Sequence, residues 1–221
     1  MITAANGPDS WIWWEWVGDH GDEILDRLQQ HVWLVVLSVG LGVVIALPLA
    51  ILAARRRFLY PPLLVLGSIL YTIPSLAAFA ILIEWTSRHR AALIVLTSYT
   101  ILVLVRNTVT GLDGVPPEIR EAAQGMGYSP ARMLARIELP MALPSIVAGI
   151  RIATVTNVGL VTVAALIGQG GLGQLINDGL QRDFPTPLVI GATLSIALAV
   201  AFDLSLLGVQ RLIAPWQRKA R

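Results

Sequence analysis

The stretch EIREAAQGMGYSPARMLARIELP, Glu118 to Pro140, is the most polar part of an otherwise apolar chain. It reads as two short helices. Pro116 and Pro117 precede the first, and Glu118 and Glu121 fall in its opening turns. Proline suits the first helical position, where its missing N–H costs nothing, and acids favour the positive end of the helix dipole. Gly125 and Gly127 end that helix, because glycine closes a helix at little steric cost. Ser129 is a natural N-cap with Pro130 behind it. Ile137 and Leu139 lead to Pro140, which is expected to stop the second helix. Ala122 and Ala123 keep the first helix narrow, and Met126, Tyr128 and Met133 add apolar contact area. Such a segment suits a groove on another protein. The other reading is an amphipathic loop resting on the bilayer.

The residues on either side are of another kind. The 221-residue chain is 55% hydrophobic and 14% charged, against about 25% charge in a soluble domain. Five apolar segments, at about 32–54, 63–83, 91–109, 142–167 and 188–209, approach the roughly 20 residues that carry a helix across about 30 Å of hydrocarbon. Backbone polar groups must bond within the segment there, so these are helices. The alternation of a membrane β-barrel is absent. The expected fold is all-α, with about five spans and the polar loop 112–140 between spans three and four. Pro48 and Pro74 fall inside spans one and two and are expected to kink them.

Charge sets the expected orientation. Arg55, Arg56 and Arg57 follow span one; Arg106, Arg120, Arg132 and Arg136 lie at the end of span three and in the loop after it; Arg211, Arg218, Lys219 and Arg221 follow span five. The other side holds only Arg27, Arg88, Arg90 and Arg182. Cytoplasmic loops carry the positive excess, so the amino terminus is expected outside and the carboxyl terminus inside. Arg88 and Arg90 run mildly against this. Residues 1–30 form an acidic, Trp-rich head, and 31–221 the transmembrane domain. The head lacks a basic leader, so no cleavable signal is expected. WIWWEWV, Trp11 to Val17, is either an interfacial anchor or a tail whose aromatics pack on the bundle.

Several classes are disfavoured. There are no cysteines, so disulfides and thiolate metal sites are out. His20, His31 and His89 lack metal-ligand spacing. The net charge of +2 is spread between apolar runs and leaves no nucleic-acid stripe. GQGGLG, Gly168 to Gly173, fits a dinucleotide pattern literally, but a membrane span precedes it and Thr stands where the acid belongs. It is expected to be a compact turn at the outer end of span four. No phosphate-binding G-x-x-x-x-G-K-[ST] occurs, so ATP used in transport must bind another chain. No catalytic, metal or cofactor residue is expected.

Within the spans, Arg151, Thr154 and Asn157 share one face of span four. Thr154 and Asn157 are candidates for a pathway or subunit interface, or for bonds to neighbouring helices; Arg151 is expected to snorkel towards headgroups. Gly149 and Ala153 form a small-x-x-x-small packing pair. Asp203 is the one carboxylate deep in a span, expected to pair with Arg106 or Arg151 rather than relay protons. Tyr71, with Tyr99 and Trp85, is a candidate cation–π cage for a quaternary ammonium group, or part of an interfacial belt.

Glu121-Ala122-Ala123, three residues, Gly127, nine residues, then Ile137-x-Leu139-Pro140 resembles the signature of permease subunits of ATP-binding-cassette importers. YTIPSLAAFAIL (Tyr71–Leu82), VRNTVTGLDGVPPEIREAAQGMG (Val105–Gly127) and VAALIGQGGLGQLI (Val163–Ile176) resemble the osmoprotectant branch. Nearly the whole chain after the head is covered. The resemblance implies a prokaryotic plasma-membrane subunit importing glycine betaine, carnitine or choline. It implies a fold like that of the methionine permeases, whose substrate class is the nearest alternative. The loop would be a coupling helix seated in an ATPase subunit. Glu121, Ala122, Ala123 and Gly127 would form the contact core, with Gly125, Tyr128 and Ser129 completing the segment. Implied partners are two ATPase subunits carrying ATP and Mg, a second permease (a copy or a paralogue), an extracellular solute-binding protein and membrane lipid. An ion-coupled secondary transporter is the rival class. It predicts internal repeats and midplane ion sites, and the sequence shows no repeat.

Overall fold

The computed structural model describes residues 11–214. Every regular element among them is helical: α1 (Trp14–Asp19), α2 (Gly21–Arg55), α3 (Tyr60–Thr72), α4 (Ser75–Ile83), α5 (Arg88–Asp113), α6 (Pro117–Gly125), α7 (Pro130–Met133), α8 (Leu139–Ala164), α9 (Leu172–Gln181) and α10 (Pro185–Ile213). Helices α2, α5 and α10, and the run Pro130–Ile167 that contains α8, are each long and apolar enough to cross a membrane. Arg57–Thr72 and Ser75–Ile83 pass the same test only together, as a bent pair, and make a fifth span if the two count as one. The break comes at Ile73 and Pro74, where proline forces its predecessor out of the helical region. Pro48 lies inside α2, which continues as one helix through it.

Helix α2 begins at Gly21, ahead of the expected span start at 32, with Asp22 and Glu23 in its first turn. These acids favour the positive end of the dipole. The boundary expected at 30/31 therefore falls inside a helix. Arg218, Lys219 and Arg221, used in the orientation argument, and the first ten residues of the head lie outside the described residues.

The chain forms two compact units, and each of the four long helices contributes a stretch to both. One comprises residues up to Gly40, Ile73–Thr97 and Thr154–Ala201. Here His31, fully buried, lies with Nε2 3.1 Å from the Val158 carbonyl and accepts the Leu172 N–H on Nδ1 at 3.3 Å. An accepting Nδ1 requires the proton on Nε2, so both ring nitrogens are used. Gln30 accepts the neighbouring Gly171 N–H at 3.2 Å. GQGGLG is indeed a turn: Gly168, Gly170 and Gly171 have φ of +73°, +87° and +75°, values that favour glycine. The head splits its aromatics between two roles. Trp16 and Trp13 meet Phe184 edge-on at 5.5 and 6.4 Å, and the Trp13 backbone N–H donates to the Thr186 hydroxyl at 2.9 Å, whereas Trp11 and Trp14 remain exposed.

The other unit comprises Leu41–Thr72, Ser98–Ala153 and the chain from Phe202 on. Ala46, Ala50 and Ala53 put a small-residue face of α2 against Leu104, Val105 and Val109 of α5. Gly149 sits against α5 so closely that a Cβ there would lie 2.7 Å from the Asn107 Cβ. Lipid gives apolar helices no solvent incentive to associate, so such close backbone approach carries the packing.

Candidate functional site: the polar loop between α5 and α8

Helix α6 starts on Pro117 with Glu118 in its first turn. It ends in a Schellman motif: Tyr128 N–H donates to Ala123 C=O at 3.1 Å and Gly127 N–H to Gln124 C=O at 2.9 Å. Gly127 takes φ +76°, which a side chain would oppose by about 1–2 kcal/mol. Ser129 Oγ then accepts the Arg132 N–H at 3.4 Å and caps α7. Arg132 lies over the Tyr128 ring, 5.9 Å from its centroid.

Pro140 does not stop the second helix as expected. Helix runs unbroken from Pro130 to Ile167. A π-helical turn, Leu134–Glu138, leads into α8. A wider turn there leaves a residue outside the regular ladder, where a proline without an N–H is tolerated.

Glu121, Ala122, Gly125 and Gly127 are exposed, as are Ser129 and the side chain of Met126; Tyr128 is half-buried. Ala123 departs from the expected contact core, being 1% exposed and so committed to the chain's own packing. Inward of α6 lies a crevice of about 180 Å³ lined by Arg55, Arg57, Asp113, Arg120, Gln124 and Glu138, among others. Arg57 and Asp113 form a bidentate pair there at 2.8 and 2.6 Å. Glu138 was not singled out from the sequence, and its partners Arg55 and Arg120 entered there only as part of the positive charge. The available signal was a lone acid between Ile137 and Leu139, flanked by apolar residues.

The span residues find protein partners. Asn157, 1% exposed, donates to the Ser38 hydroxyl at 3.0 Å and to the Leu96 carbonyl at 3.4 Å. Thr154 is buried as well. Both are enclosed by the chain's own residues. Asp203 receives a bidentate bond from Arg151, at 2.9 and 2.8 Å, and Gln210 accepts from Arg151 at 3.3 Å. Arg151 thus pairs instead of snorkelling, since an opposite charge within reach removes the cost of a lone ion in the span. Tyr71 and Tyr99 meet edge-on at 5.0 Å, while Trp85 belongs to the other unit and is 85% exposed.

Comparison with known proteins agrees with this arrangement. Residues 46–219 match the family described as binding-protein-dependent transport system inner membrane component. The chain is 41% identical over 192 residues to the osmoprotectant import permease protein OsmW of Salmonella typhimurium, covering 84% of this chain and 89% of that protein. It is 34% identical over 197 residues to the choline transport system permease protein OpuBB of Bacillus subtilis, covering 89% and 91%. Its fold is similar to that of a chain of the MetNI methionine ABC transporter in an inward-facing conformation. The TM-score is 0.76 at 22% identity, over 86% of this chain and 95% of that one. With its long apolar helices and the polar loop between them, the chain is a multi-pass membrane protein and belongs to the family of binding-protein-dependent transport system inner membrane components.

Proposed function

We propose that this chain is the permease subunit of an ATP-driven importer of quaternary ammonium osmoprotectants such as glycine betaine, carnitine or choline. The observation that carries the transport role is the exposed face of α6, Glu121 and Ala122 with Gly125 and Gly127 at its end. It projects from a loop whose own chain has no phosphate-binding motif. That face supports docking to a separate ATPase chain that holds ATP and Mg. The positive-inside bias supports a cytoplasmic loop and carboxyl terminus with the amino terminus outside. A second permease, either a copy or a paralogue, completes the pathway, and an extracellular binding protein delivers solute to the outer face. The solute class rests on OsmW, OpuBB and the glycine betaine/carnitine/choline permease protein OpuCB of Bacillus subtilis, 32% identical over 197 residues. The methionine transporter shares the fold at 22% identity and does not outweigh these relatives. Family membership sets aside the ion-coupled carrier. ATP binding closes the ATPases, α6 carries that displacement, and the spans exchange one packing for another.

The test is uptake of labelled glycine betaine into proteoliposomes holding this chain with its ATPase, second permease and binding protein. ATP-dependent uptake that choline or carnitine competes is expected. ATP-dependent transport of methionine without betaine uptake would overturn the solute class, and uptake driven by an ion gradient alone would overturn the mechanism.

A further inference from the structure

Helix α6 has few holds on the rest of the chain. It is nine residues long and Ala123 is its one buried residue. A helix this short does not stand alone. Arg120 supplies the other hold. Three residues before Ala123, it lies on the same inward side of α6, turned about 100° from Glu121. Its Nη2 donates at 2.6 Å to the Leu112 carbonyl in the last turn of α5, which also takes the Val115 N–H at 3.3 Å. Its Nε stands 3.0 Å from a carboxylate oxygen of Glu138, close enough for an ion pair though off the line of a hydrogen bond. Glu138, with its side chain 5% exposed, binds Arg55 at the end of α2 through its other oxygen. Glu138 itself belongs to the π-turn that feeds α8. One buried carboxylate thus joins α6 to α2 and α8, and Arg120 joins it to α5.

We infer that Glu138 is the positioning residue that transmits displacement of α6 to the spanning helices. This rests on α6 being the ATPase-docking helix. Its rationale is geometric. A buried ion pair is weak evidence for stability, and apolar packing would hold these elements as well. The charge-assisted bond from Arg55 and the close ion pair with Arg120 hold Glu138 between them, so a push on α6 moves α2 and α8 with it instead of slipping past them. Glu138 does not face the ATPase. Docking and transmission therefore reside in different side chains, Glu121 and Glu138, and separate under mutation.

The experiment uses the full reconstituted complex and reads ATPase co-purification, ATP hydrolysis and labelled glycine betaine imported per ATP. Glu138→Gln keeps the shape and removes the charge. It is expected to retain the ATPase and its hydrolysis, while solute per ATP falls about ten-fold, the scale of losing one charge-assisted bond. Glu138→Asp is expected to recover part of the ratio. Arg120→Gln combined with Glu138→Gln is expected to be no worse than the more severe single variant, because both cut one link. A normal ratio in Glu138→Gln overturns the inference. So do losses that multiply in the double variant, or a drop in uptake matched by loss of assembled complex, which would make the cluster structural only. Failure of the docking reading looks different: the wild-type chain would itself hold no ATPase, and the inference would fall with it.

Discussion

Glu121→Ala is expected to leave the chain inserted and folded while most of its hold on the ATPase is lost. Glu121 is exposed on α6. Among the described residues it enters no salt bridge. Removing its side chain therefore opens no cavity and orphans no partner within the chain. The loss falls on the interface. Truncating a central interface residue costs about 2 kcal/mol or more, roughly a 30-fold weakening of association. Titrating the solubilised permease with its ATPase measures this directly, and proteoliposome uptake is expected to fall with it. Wild-type affinity and uptake in Glu121→Ala would remove the basis for calling α6 a docking helix.

The largest expected stability loss lies elsewhere, at His31→Leu. The imidazole is fully buried, with one nitrogen on the Val158 carbonyl and the other on the Leu172 N–H. Leucine fills much of the volume but satisfies neither group. The Val158 carbonyl lies inside α8 and keeps its helical bond, so the Leu172 N–H is the group left unpaired, and the loss is expected at about 1–3 kcal/mol. The Gly168–Gly171 turn is vulnerable because three of its glycines already hold positive φ and Leu172 N–H follows directly. Thermal unfolding in detergent should show a clearly lower midpoint for His31→Leu than for wild type. An unchanged midpoint would mean the histidine is a bystander.

The comparison of sequence with structure divides along the range of the forces involved. Local chemistry was legible. Hydropathy located the spans because lipid rejects unpaired backbone groups. Pro117, Gly127 and Ser129 marked the ends of α6 and α7 because their backbone preferences need only neighbouring residues. Pro140 misled because the chain absorbed it with a π-turn, an option that composition does not reveal. Long-range pairing was only partly legible. The lone carboxylate at Asp203 demanded a cation, which narrowed the choice to Arg106 or Arg151, and Arg151 is the partner. His31 and Leu172 are 141 residues apart, and nothing in either segment specifies the other. Within the candidate site, the motif located the loop but did not tell the outward face from the inward one. Ala122 and Ala123 are chemically identical, and only the packing of α6 buries one and exposes the other. Glu138 carries no signal of its role in sequence beyond standing alone between apolar residues, and two arginines, one 83 residues away, make it a buried junction.

That difference between adjacent alanines gives the most direct test. The sequence contains no cysteine, so Ala122→Cys introduces a single addressable thiol on the exposed face of α6, and Ala123→Cys places one on the buried face. Each variant would be assembled with the ATPase and treated with a short thiol-to-amine cross-linker. A permease–ATPase adduct from Ala122→Cys, with little from Ala123→Cys, is the result expected if α6 seats in the ATPase. No adduct at position 122, or equal adducts at both positions, would contradict it.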